Sequence, residues 1–194
     1  MKLKTLMMGA AASLAMAPAA FAERGADGQV NVILWQAPST MNPYLSSGTK
    51  DIIAASMTIE PLASFDPTGK VVARLAAEVP SLENGGIAED LKSVTWKLQP
   101  GLKWSDGSAL TAADVVFTAN YCMDPKGGCA QLAKFEGIEK VEAVDDLTVK
   151  VSFTTARPDP FSAFVGGQSP IIQKAQFEKC LGEAAPTCTE QNFN

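Results

Sequence analysis

The chain has 194 residues, 21 acidic against 16 basic side chains, a formal net charge of −5 and no histidine. Net acidity excludes the basic footprint by which proteins hold nucleic-acid phosphates. The lack of histidine removes the usual base for a cysteine or serine nucleophile and the commonest ligand for nickel or zinc.

Lys2 and Lys4 precede an uncharged run over residues 6–22 that ends in Ala20-Phe21-Ala22. A basic start, a short apolar stretch and a small-x-small exit predict a secretory signal peptide over residues 1–22, with Glu23 as the first mature residue. The run is alanine-rich and carries Gly9 and Pro18, so a membrane span fits it poorly. No cysteine follows the cleavage point to take a lipid. Residues 23–194 then form one domain of ordinary size. No second long apolar run is present, so a soluble exported protein is expected.

Residues 29–35, QVNVILW, alternate and are rich in β-formers, which predicts a strand. A loop dense in Pro, Ser, Thr, Asn and Gly follows, and residues 51–57 suit a short helix. Residues 60–65 turn toward a strand that Asp66-Pro67-Thr68-Gly69 ends, and residues 71–77 contain another. Residues 81–90 read as a polar surface loop. In residues 94–99, Val94, Trp96 and Leu98 share one face and Thr95, Lys97 and Gln99 the other, a half-buried strand.

Ser105-Asp106-Gly107 suits a tight turn. Thr111 and Asp114 have capping-box spacing, and Ala112, Val115, Val116 and Ala119 recur at the interval of one buried helical stripe, so a capped helix is expected over residues 112–122. Residues 137–144 and 147–154 read as a hairpin turning at Asp145-Asp146. Residues 158–165 suit a short helix with a proline near its start, and residues 174–180 another. Strands and helices mix without βαβ alternation, which gives an α+β (mixed α/β) class.

The four cysteines fall in two close pairs, Cys122/Cys129 and Cys180/Cys188. Export places them where disulfides form. Four cysteines permit three pairings and the sequence does not choose among them; local pairing is favoured here, because Pro125, Gly127 and Gly128 let the chain double back. Structural zinc uses two to four residues between ligands, fewer than separate these cysteines, so no metal site is expected.

Five stretches, in order, carry a resemblance: MNPY (41–44), IEPLASFDPTGKVVARLAAE (59–78), VTWKLQPGLKWSDGSALTAADVVFTANY (94–121), VEAVDDLTVKVSF (141–153) and GGQSPIIQKAQFEKC (166–180). Together they resemble the extracytoplasmic solute-binding proteins of family 5, the dipeptide, oligopeptide and nickel binding proteins that serve ABC transporters. The resemblance implies a clamshell of the type II periplasmic-binding kind, closing by hinge motion on its ligand. Family members are much longer. The resemblance therefore implies that residues 23–194 are the N-terminal part of the first lobe, truncated before the second.

By the same resemblance, the loop after the first strand lines the cleft: Ser39, Thr40 and Met41, continuing to Ser46, Ser47 and Gly48. Gly166, Gly167 and Gln168 form a second candidate segment, where glycines admit close backbone approach and the glutamine both donates and accepts. Asn42 and Pro43 are read as turn formers, Trp96 as core and Trp104 as packing; Trp35 is left open between packing and stacking. The function implied is a monomeric periplasmic receptor that captures a peptide or similar solute and delivers it to a membrane permease, with no catalysis, no cofactor and no nucleic acid. Two rivals stand beside it. An exported hydrolase would have to rest on carboxylates such as Asp145 and Asp146, which read as solvated turn residues. A disulfide-stapled extracellular interaction module would leave the five ordered stretches unexplained.

Overall fold

A computed structural model describes residues 28–187. The proposed leader and Cys188 lie outside them. Residues 28–33 belong to a separate unit from the rest of the described chain and hold neither helix nor strand. The strand predicted over residues 29–35 is absent. Extended backbone persists only where its amides and carbonyls find a neighbour, and none of the strands among the described residues pairs with this segment.

From Leu34 onward, the elements follow the sequence pattern closely. Helix α1 is Thr49–Ala55. Strands β1 (Ala63–Phe65) and β2 (Val71–Ala73) make an antiparallel pair. The turn between them is set by Asp66, whose Oδ1 accepts from the amides of Thr68 and Lys70 at 2.8 and 3.0 Å. Strands β3 (Ser93–Lys97), β4 (Ile138–Asp145) and β5 (Thr148–Phe153) form a three-stranded antiparallel sheet in the order β3-β5-β4. Val94 and Trp96 of β3 face Val151 and Val149 of β5, and Val141 and Ala143 of β4 continue the register.

Helix α2 (Ala112–Met123) lies against β4 and β5. The predicted capping box forms, with Asp114 Oδ2 accepting from the Thr111 amide at 2.9 Å. The buried face is wider than the four-residue stripe implied. Phe117, Thr118, Tyr121 and Cys122 are buried as well, while Val116 is only half-buried. Helix α3 (Lys174–Phe177) ends in a 3-10 turn, Glu178–Cys180. The core gathers Trp96 and Val94 from β3, Val149 and Val151 from β5, Val115 and Tyr121 from α2, and Phe164, Ile171 and Ile172 from the segment before α3. Trp96 is 1 % exposed and meets Phe161 edge-on at 5.9 Å, which confirms its core role.

The helix predicted over residues 158–165 does not form. Phe164 holds φ at 63°, Val165 bridges Ala63 in parallel, and the Phe164 carbonyl accepts from the amides of Leu62 and Ala63 at 2.9 and 3.3 Å. Pairing with β1 outweighs the local helical pattern of this apolar segment. Cys122 and Cys129 are disulfide-bonded. Cys180 is also in a disulfide.

Candidate functional site

The Trp104-to-Tyr121 block contains no reacting group, and its geometry shows what it does. Asp114, 6 % exposed, closes the capping box and also accepts from Lys174 N through Oδ1 at 2.8 Å and from Trp104 Nε1 through Oδ2 at 3.3 Å. One carboxylate thus ties the helix start, the tryptophan turn and the start of α3. Asp106 adds a second tie, its Oδ2 accepting from Gln173 Nε2 at 2.8 Å. Hydrogen bonds from Ser108, then Gln173, hold the Asp106 carboxyl below the usual range. Asp145 and Asp146 serve the hairpin: Asp145, the last residue of β4, accepts from Leu147 N through Oδ1 at 2.8 Å, and the carbonyl of Asp146, in the turn, takes the first amide of α2, Ala112 N, at 2.8 Å.

The first candidate loop is organised by a residue that the sequence pattern did not single out. Asp51, in the first turn of α1, is 2 % exposed. Its Oδ1 accepts from Ser39 N at 2.6 Å and Thr40 N at 3.4 Å, and its Oδ2 from the Ser46 hydroxyl at 2.6 Å. Lys50 Nζ reaches both oxygens and the Ser39 hydroxyl. Burial alone would raise the Asp51 carboxyl. The hydrogen bonds from Ser46, Lys50, Ser39 and Thr40 outweigh it and hold the group well below the usual carboxylate range. Gly48 sits close to the same cluster: a Cβ there would stand 3.0 Å from Asp51 Oδ2 and 3.2 Å from Ser46 Oγ, so these side chains would have to shift to admit it. Asn42 shapes a 3-10 turn (Pro43–Leu45), its Oδ1 accepting from Tyr44 N at 3.0 Å.

Of the predicted residues, Ser39, Thr40, Ser46 and Gly48 are therefore drawn together around Asp51. Met41 is half-buried, and Ser47 projects into solvent. The second candidate segment, 166–168, lies against the same helix. A Cβ on Gly167 would lie 3.5 Å from Ile52 Cγ2 and 3.6 Å from Ser56 Cβ. Gly166 occupies the left-handed region at φ 80°, and its amide donates to the Ala63 carbonyl at 2.9 Å. Gln168 is exposed. Two loops about 120 residues apart in sequence thus flank one short helix and present Ser47 and Gln168 outward. Trp35 is 68 % exposed and contributes nothing to the core.

Two further groups fix the loop from beneath. Tyr44 is fully buried, and its hydroxyl donates to the Pro170 carbonyl at 2.5 Å, which joins the two candidate segments directly. Burial pushes the phenol far above its ordinary value. Gln131 Nε2 donates to the carbonyls of Ser46 at 2.9 Å and Pro43 at 3.3 Å. Neither partnership has a local signal, because the partners lie 126 residues apart for Tyr44 and 85 or 88 for Gln131. A separate cavity of 380 Å³ opens between Glu60, Leu75, Lys103, Trp104, Ile171 and Gln173, and includes none of the predicted ligand residues.

Residues 70–189 match the family described as bacterial extracellular solute-binding proteins, family 5 Middle. A glutathione-binding protein, GsiB, of Pectobacterium atrosepticum is 35% identical over 127 residues, 66% of this chain and 23% of that protein. The ABC transporter substrate binding protein CtaP of Listeria monocytogenes is 32% identical, with a TM-score of 0.61 over 75% of this chain and 28% of that one. OppA of Haemophilus influenzae, solved with the peptide RPPGFSPFR, is 25% identical, with a TM-score of 0.62 over 73% and 30% of the two chains. The chain spans about a quarter of the length of the curated relatives it matches. The fold is thus the mixed helix-and-sheet fold of type II periplasmic binding proteins, represented here in part.

Proposed function

Because the chain belongs to the bacterial extracellular solute-binding proteins of family 5, we propose that it is part of a receptor that captures a short peptide or peptide-like solute and hands it to an ABC permease. Proteins of this family are transport receptors, not enzymes. The observation that carries the reading is the convergence of residues 39–48 and 166–168 on α1, joined by Tyr44 and Pro170. A receptor needs fixed polar loop edges, and the buried Asp51 cluster supplies one.

Two relatives support a peptide-like ligand. One similar protein is named for glutathione, a tripeptide-like thiol, and another was solved with a nonapeptide. A peptide backbone is matched by hydroxyl and amide edges such as Ser47, Gly48 and Gln168, which donate and accept in short range. The candidate loops hold no histidine to favour a bare nickel ion. The signal-peptide pattern of residues 1–22 and the disulfide support a periplasmic location.

Thermal unfolding of the full-length protein, run against a panel of di-, tri- and oligopeptides with glutathione, tests this. A receptor gains about 2.7 kcal/mol at a ligand concentration a hundred times its dissociation constant. A panel with no stabilising member would remove the peptide reading.

A further inference from the structure

The ligand loop is held from behind by an arm that starts in the core. The last turn of helix α2 carries Tyr121 and Cys122, both buried. Cys122 is bonded to Cys129, and the next two residues reach the loop: Ala130 N donates to the Tyr44 carbonyl at 2.8 Å, and Gln131 donates to the carbonyls of Pro43 and Ser46. Gln131 is 6 % exposed. Three successive parts of one loop edge, Pro43, Tyr44 and Ser46, thus hang on two residues that the disulfide fixes to the helix. Asp51 gathers the loop on itself, and the arm sets its position against the core together with Tyr44, whose hydroxyl donates to the Pro170 carbonyl, and Asn42, whose Nδ2 donates to the Tyr121 hydroxyl.

We propose that the disulfide-closed arm from Cys122 to Gln131 is a positioning device for ligand capture, with Gln131 as the positioning residue and Cys122–Cys129 as its anchor. The assignment rests on the reading of residues 39–48 as the ligand loop. Without the Gln131 amide, the carbonyls of Pro43 and Ser46 turn to water and the Ser46–Gly48 edge samples other positions. Apparent affinity then falls by the fraction of molecules whose loop stands ready, while the Asp51 cluster keeps the loop folded. Loss of the disulfide acts through the same arm, so its effect and that of Gln131 overlap.

The test uses the full-length protein with two probes, trialanine and S-methylglutathione, whose blocked thiol leaves the disulfide intact. Titration calorimetry should show about tenfold weaker binding for Gln131→Ala. Gln131→Glu, which keeps the shape and loses the donors, should weaken binding at least as much. Cys122→Ser/Cys129→Ser should weaken it too, and adding Gln131→Ala to that pair should cost less than it does alone. Amide hydrogen exchange over residues 45–48 reads the same device without ligand and should be faster in each variant. If melting temperatures fall while affinity and exchange stay unchanged, the arm is structural only and the proposal is overturned. Ser47→Arg separates the two claims. If it abolishes binding while the arm variants bind normally, the positioning role fails and the ligand loop stands. If it binds normally, the ligand loop itself is lost and the proposal with it.

Discussion

Asp114→Ala is the most informative single perturbation of the scaffold. The carboxylate accepts from Thr111 N, Lys174 N and Trp104 Nε1 at 2.9, 2.8 and 3.3 Å. A helix cap contributes about 1 kcal/mol, and a hydrogen bond to a charged acceptor about 1.5–3 kcal/mol. The indole contact is long and the three donors share one group, so the full sum is not reached. We expect a loss of about 3–5 kcal/mol, set by the two short amide bonds, of which the one from Thr111 N is Asp114's half of the cap. At about 2–4 °C per kcal/mol for a chain of this size, melting should fall by roughly 6–20 °C. Urea unfolding followed by circular dichroism measures the loss directly. Trp104→Phe removes only the indole donor and should cost under about 1 kcal/mol beyond its packing change. An Asp114→Ala loss of less than about 1 kcal/mol would class the residue with ordinary surface positions and refute its role as a three-way tie.

The Cys122→Ser/Cys129→Ser pair should lower stability by about 2–3 kcal/mol in the chain-entropy treatment of a short closed loop, read by urea midpoint at constant m-value. Asp51 supplies a pH test. Its folded carboxyl lies below the ordinary 3.8, so its contribution is fully present above that value and is lost as pH falls through the depressed folded value. Wild type should therefore be more stable than Asp51→Asn near neutrality, with the gap narrowing in strong acid; a gap that is constant with pH contradicts the sign. Gly166→Ala should destabilise by about 1 kcal/mol because φ is 80°, whereas Gly167→Ala meets only ordinary contacts with Ile52 and Ser56 and should be close to neutral by thermal melt.

Local chemistry was readable wherever a pattern and its partner lay close in sequence. The Val94-Trp96-Leu98 face, the Thr111–Asp114 box and the hairpin over residues 138–153 all formed as their spacing implied. The misses share one cause. Residues 29–35 have strand chemistry but pair with none of the strands among the described residues, and residues 158–165 have helical spacing but are pulled into pairing with β1. The candidate site was legible only in outline. Ser39, Ser46 and Gly48 were marked as loop residues, but their organiser, Asp51, read as an ordinary helix residue. A Ser-Ser-Gly-Thr-Lys-Asp run at a helix start is the signal that could have found it, because a first-turn carboxylate there faces the preceding loop. Gln131 and Tyr44 had no such signal, since their partners come from distant segments.

The receptor claim is tested most directly by titrating the full-length protein with short peptides and glutathione, then recovering the ligand and weighing it by mass spectrometry. Saturable one-to-one binding, with the ligand returned at unchanged mass, is the expected result. Cleaved ligand, or no saturable binding to any member of the panel, would contradict the account.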